Sequence, residues 1–161
     1  MTEQLAIARL GHRGDGIADT AAGPVYVPAT LPGETVETEP WPGHPDRRQL
    51  LRVIAPSPDR ILPVCPHFGT CGGCAVQQWS WDRYRGWKHD LVINALRQAG
   101  IAADVDDLVD AHGEGRRRAV FHAREGAGDV LAVGFAAARQ HRVASLPMPA
   151  QAGCSPPASS P

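Results

Sequence analysis

No stretch of this 161-residue chain approaches the ~20 consecutive apolar residues that a membrane-crossing helix needs. The opening residues, Met1-Thr2-Glu3-Gln4-Leu5, carry neither the basic start nor the apolar core of a secretory signal. Both absences lead to the expectation of a cytoplasmic protein with no membrane partner, in a compartment where thiols stay reduced and stable disulfides are rare. A surplus of positive charge is missing as well. The formal net charge is -1, which excludes a global attraction to phosphate and leaves nucleic-acid binding only a local basis. There is no internal repeat, so repeat architectures are set aside.

What the chain has in quantity is glycine and proline, 17 and 15 residues, which favours short strands and turns over a helix bundle. Its length suits one domain or two small ones, and small domains are marginal enough to call for a metal staple. Residues 1–55 read as short strands between turns. Leu5 to Leu10 is an apolar run ending at Gly11, and Gly14-Asp15-Gly16 is a tight turn. Val25-Tyr26-Val27 is β-rich, Leu31-Pro32-Gly33 is a second turn, Glu34 to Thr38 alternates, and Leu50 to Ile54 closes the set. Short strands at this spacing predict a small antiparallel barrel.

Residues 56–66 are proline-dense and read as an extended connector. Ser80 is placed to cap a helix from about Trp81 to Ala99, with Gly100 just past its end. Tyr84, Trp87, Leu91 and Ala95 fall on one face of that helix and read as core packing, with base stacking by Trp87 the competing role. Farther on, Arg116 to His122, Val130 to Phe135 and His141 to Leu146 read as strands, the first two joined by a turn at Glu125-Gly126-Ala127-Gly128. Six arginines against Glu114, Glu125 and Asp129 give residues 111–142 a local positive excess. Residues 147–161, a Pro/Ser/Ala stretch without periodicity, are expected to be a disordered tail.

The segment Cys65-Pro66-His67-Phe68-Gly69-Thr70-Cys71-Gly72-Gly73-Cys74 packs three thiols into a glycine-rich loop. Thiolates that share one centre must converge from a compact loop, and Gly72-Gly73 lets the backbone fold tightly between two of them. Iron–sulfur clusters take four cysteines, and Cys154 is the candidate for a remote fourth. Zinc held by the same three cysteines and His67 is the alternative metal site. A redox pair at Cys71 and Cys74 would need a βαβ setting that the pattern does not offer.

Continued through Gln77 and into the helix at Lys88, this cysteine block resembles the cluster-binding region of RNA (uracil-5-)-methyltransferases, above all the 23S ribosomal RNA members with a [4Fe-4S] cluster. Gly14-Asp15-Gly16-Ile17-Ala18, Val25-Tyr26-Val27-Pro28, Leu31-Pro32-Gly33-Glu34 and Pro56-Ser57-Pro58-Asp59-Arg60 are similar to that family's N-terminal TRAM domain and its junction. Gly115-Arg116-Arg117-Arg118 and Val133-Gly134-Phe135 with His141 resemble strands of its central domain. The resemblance implies an OB-like TRAM barrel over residues 1–55 that grips RNA, then a small α+β cluster domain over 56–146. It also implies Cys65, Cys71 and Cys74 as cluster ligands; Cys154 stays the candidate fourth, set apart by residues 147–153 from the strand that the family's fourth cysteine closely follows. Arg116, Arg117 and Arg118 are the best local patch for phosphate.

In intact relatives a further domain binds S-adenosylmethionine and supplies a cysteine that attacks uracil C6 before C5 takes the methyl group. After Phe135 this chain shows no strand, Gly-rich loop and helix for a methyl donor, and no cysteine is left over for the nucleophile. The expectation is therefore a monomeric, RNA-binding N-terminal portion, truncated or frame-shifted, that does not methylate by itself. Its RNA would be 23S ribosomal RNA ahead of transfer RNA. The alternative is a free-standing iron–sulfur or zinc module that acts by binding RNA.

Overall fold

A computed structural model describes residues 1–110, 120–125, 131–137 and 143–145. Arg116, Arg117, Arg118, His141, Leu146, Cys154 and the whole of 147–161 lie outside the described residues. Among the described residues the protein is mainly β with one helix, and the chain divides into two compact units. The first takes Met1–Ile61 and Gln78–Val109, so the helix groups with the strands of the N-terminal half. The second takes Leu62–Gln77 and the residues from Asp110 onward.

Six strands build the first unit: β1 (Glu3–Ala6), β2 (Arg9–Leu10), β3 (Gly16–Thr20), β4 (Gly23–Val27), β5 (Thr35–Trp41) and β6 (His44–Ala55). Their order is β1-β5-β6-β4-β3-β2. The two end strands are separated in the chain by Ile7 and Ala8 alone, which closes the sheet on itself. Ile7 donates its N–H to the Glu34 carbonyl and accepts from the Gly33 N–H, both at 2.8 Å, while the Ala8 N–H reaches the Ile17 carbonyl. A barrel of this kind was expected from the strand spacing. It is antiparallel except at one pairing, where β4 and β6 run parallel at Tyr26 and Arg47. Register shifts at Thr35/Val36, Glu37/Thr38 and Pro40/Trp41 bend β5 against β6 and supply the curl.

Alternation fills the barrel. Val25 and Val27 of β4, Val36 of β5 and Ala18 of β3 are buried around Ile7, with Leu5, Leu50 and Val53 packed against them. Gly16 has no room for a side chain, because a Cβ there would collide with the Thr30 hydroxyl and stand 2.9 Å from Ile7 Cγ2. That hydroxyl is itself fixed, donating to the Val27 carbonyl at 2.8 Å.

One charged group is fully buried beside this core. Glu34 accepts two hydrogen bonds from Arg60, at 2.5 and 2.8 Å, one from the Leu31 N–H at 2.8 Å and one from the Ser57 N–H at 3.2 Å. Arg60 also donates to the carbonyl of Ala29, whose φ of 60° is unusual for a residue with a side chain. Burial alone would raise the Glu34 carboxyl above its ordinary range. The Arg60 hydrogen bond, the Leu31 and Ser57 amides and the Arg60 charge outweigh it and hold the carboxyl below that range.

Helix α1 (Trp81–Gln98) is anchored by the same connector. The Ile61 N–H reaches the Gln78 carbonyl, the Ser80 N–H reaches the Asp59 carbonyl, and Arg83 pairs with Asp59 at 2.9 Å. Ser80 stands at the cap position, but its hydroxyl makes no capping bond; its backbone carbonyl accepts the Tyr84 N–H instead. The expected core stripe is corrected too, since no residue of the helix is buried. The segment that follows the helix is hydrogen-bonded to its first half, through Arg85 to the Leu108 carbonyl and His89 to the Val105 carbonyl. A chain segment covers less of a helix than a sheet would.

In the second unit β7 (His122–Glu125), β8 (Leu131–Ala136) and β9 (Val143–Ser145) form an antiparallel sheet in that order. β7 begins at His122, where the predicted strand was to end; His122 opposite Gly134 and Glu125 opposite Leu131 set this register.

Gly16→Ala is expected to cost about 1–3 kcal/mol through overpacking, read as a lowered urea midpoint with the helix signal retained. Arg60→Ala leaves the Glu34 carboxylate buried without its cation and is expected to cost about 3–5 kcal/mol. The sign of the pH effect follows from the lowered folded pKa: the stabilisation is complete above the usual glutamate range and is lost as pH falls through the folded value. Between about pH 6 and about pH 3, wild type should therefore lose stability more steeply than Glu34→Gln. Parallel curves would show that the pair contributes nothing.

Candidate functional site

The cysteine loop runs through the second unit. Cys65 and Cys71 are half-buried and Cys74 is exposed, and all three are free thiols. The loop is tightly wound: the Phe68 N–H donates to the Cys65 carbonyl, and the Thr70 and Cys71 N–H groups both donate to the His67 carbonyl. Gly69 takes φ 89°, a conformation that suits glycine. The Gly72 N–H ties the loop to β8 through the Ala136 carbonyl at 2.9 Å, and Gln77 Oε1 accepts the Cys65 N–H at 3.2 Å.

The donor chemistry suits a thiolate-bound centre. Cys71 Sγ already accepts the Gly73 N–H at 3.3 Å, the kind of amide–sulfur bond that tunes iron–sulfur sites. The geometry brings the three cysteines onto one loop without gathering them into a ligand set. Among the described residues, no group of three or more His, Cys, Asp or Glu side chains is arranged to hold a metal ion. Convergence of thiolates is itself part of folding around a metal. His67, the alternative zinc ligand, takes part in the loop through its carbonyl. Cys154 lies outside the described residues.

Most arginines of the first unit are already engaged by carboxylates: Arg9 with Asp19, Arg47 with Asp15, Arg48 with Glu3, Arg52 with Glu37, Arg60 with Glu34 and Arg83 with Asp59. Arg9 and Asp19 strengthen each other's charged forms. Their hydrogen bond and charge raise the Arg9 pKa, and the Asp19 carboxyl is lowered by the Arg9 hydrogen bond first. The chain's one lysine differs. Lys88 Nζ lies 5.0 Å from the Trp87 ring centroid and 5.6 Å from that of Tyr84. Beside it Trp81 stacks on Tyr84 at 5.6 Å, Tyr84 meets Trp87 at 5.8 Å, and Trp87 meets Trp79 at 6.4 Å. Helical spacing found Tyr84 and Trp87. Trp79 and Trp81 escaped it because one precedes the helix and the other opens it; four aromatic rings in nine residues was the available signal.

No protein-family model matches the chain. Curated relatives do. The chain is 41% identical over 145 residues to an uncharacterized RNA methyltransferase of Brucella suis, covering 90% of this chain and 34% of that protein. It is 42% identical over 151 residues to one of Agrobacterium fabrum, again over 90% of this chain, and 35% of the relative. To the 23S rRNA (uracil(1939)-C(5))-methyltransferase RlmD of Halomonas elongata it is 34% identical over 148 residues, covering 89% of this chain and 31% of the relative. By sequence, nine tenths of this chain is related to these RNA methyltransferases. It spans about a third of the length of the curated relatives it matches.

With metal removed under reducing conditions, iodoacetamide is expected to alkylate Cys74 ahead of Cys65 and Cys71, as read by peptide mass mapping at short times. Faster modification of Cys65 would contradict the described burial of this loop.

Proposed function

We propose that this chain is the RNA-gripping, cluster-bearing N-terminal portion of a 23S rRNA (uracil-5-)-methyltransferase. The observation that carries the reading is the similarity to RlmD and its relatives across nine tenths of the chain. In this reading residues 1–55 act as a TRAM barrel that holds RNA, and Arg116, Arg117 and Arg118 meet phosphate. Cys65, Cys71 and Cys74, with Cys154, hold a [4Fe-4S] cluster. The cluster's contribution is structural: it fixes the loop and with it the small second unit. The three thiols on one glycine-rich loop and the amide–sulfur bond at Cys71 support that assignment.

The residues of this chain bind and orient RNA. In this reading methyl transfer from S-adenosylmethionine is assigned to parts of the relatives outside the matched third. It works in the cytoplasm as a monomer. No helix among the described residues is long and apolar enough to cross a membrane.

Two measurements test the reading. Anaerobically purified chain is expected to carry iron and acid-labile sulfide in equal amounts, and Cys154→Ala is expected to lose them. Zinc without sulfide would replace the cluster by a site built from the three cysteines and His67. Incubated with labelled S-adenosylmethionine and unmodified ribosomal RNA, the chain should bind the RNA and transfer no label; stoichiometric labelling would sink the assignment of chemistry to other parts of the relatives.

A further inference from the structure

The aromatic cluster at the start of α1 has no place in the barrel core. Trp79, Trp81, Tyr84 and Trp87 are each partly buried, with the Trp87 Nε1–H itself buried and without a hydrogen-bond partner, and the buried core cluster contains none of them. Four large rings left partly in water on one short stretch form the kind of surface that marks an interaction site. Their contacts make a continuous run, Trp81 to Tyr84 to Trp87 to Trp79. Lys88 lies over the two central rings, and among the described residues no carboxylate pairs with it. Arg85 on the same helix donates to the Leu108 carbonyl and, among the described residues, forms no ion pair.

We infer that Trp81, Tyr84, Trp87 and Lys88 form a stacking site for unpaired bases of single-stranded RNA. Every base presents a π-face, so aromatic rings bind single strands with little regard to sequence, and an adjacent cation takes the phosphate. A duplex keeps its bases stacked on each other and offers these rings nothing. Charge decides between occupants. An apolar protein surface would bury Lys88 without a counter-charge, whereas a nucleic-acid strand supplies one. The inference rests on the RNA-binding reading above and assigns it to residues of the helix instead of the barrel or Arg116–Arg118.

The test uses the full 161-residue chain and a dye-labelled, uridine-rich RNA of about ten nucleotides, followed by fluorescence anisotropy. Wild type should bind the single strand and lose at least tenfold in affinity when the same RNA is annealed to its complement. Trp81→Ala and Lys88→Gln should each weaken binding about tenfold, Lys88→Arg much less. Arg124→Gln, on exposed β7, should leave it nearly unchanged. Because Trp81→Ala could perturb the helix, a second readout uses wild-type protein. Acetylation of Lys88, the single lysine, should be blocked by the single strand and not by the duplex. Intact RNA binding with Lys88 still acetylated and both variants unaffected would overturn the helix site while leaving the RNA reading in place. Absence of any RNA binding would sink both. Protection of Lys88 at high protein concentration without RNA would overturn the inference in favour of a protein partner.

Discussion

Glu34 is a carboxylate with no exposed surface, and the arrangement of the first unit follows from how its charge is satisfied. A buried charge is tolerated only when its lone pairs are filled and an opposite charge is near. Here the donors come from two separate stretches: the turn that ends at Glu34, through the Leu31 amide, and the connector, through the Ser57 amide and the Arg60 side chain. The turn therefore cannot relax without exposing the carboxylate, and the connector cannot leave the barrel without taking Arg60 with it. Since Asp59 and Ile61 flank Arg60 and bind the Ser80 and Gln78 backbone, the helix inherits its starting point from the same pair.

Much of this was legible in the residues, though not the join. The alternation around Val25, Val27 and Val36 announced a half-buried sheet, and the helix began and ended close to where Trp81 and Gly100 placed it. Leu31-Pro32-Gly33-Glu34 and Pro56-Ser57-Pro58-Asp59-Arg60 stood out as two separate motifs. That the Glu of one fills the Arg of the other is a long-range fact, 26 residues apart, which no local pattern carries. The helix stripe misled for a related reason. Apolar spacing says which face is sticky but not how deeply it is covered, and here Tyr84, Trp87 and Leu91 stay only partly buried while Ala95 is exposed. At the cysteine loop, the residue types marked candidate donors, while the structure brings the three cysteines onto one loop without gathering them into a ligand set among the described residues.

The division of labour suggested by the two units is a mechanical one. A closed barrel with a buried ion pair offers a rigid base for the helix, whereas the second unit is a short sheet tied to a loop of glycines and thiols through the Gly72 amide. Rigid presentation suits the proposed binding surface, because little ordering would remain to be done on binding. If the loop takes up the proposed cluster, the second unit is conditional on it in a way the first is not.

The distribution of chromophores has a practical corollary. All four tryptophans, Trp41, Trp79, Trp81 and Trp87, and both tyrosines, Tyr26 and Tyr84, belong to the first unit, while Phe68, Phe121 and Phe135 belong to the second. Intrinsic ultraviolet emission from this protein is thus a reporter of the barrel and helix alone. The cysteine unit is dark in that window, and any visible absorption it acquires would come from what its thiols hold. Melting followed by emission and by visible colour would consequently trace two different structures within one chain, and a sample that looks fully folded by the first can have lost the second.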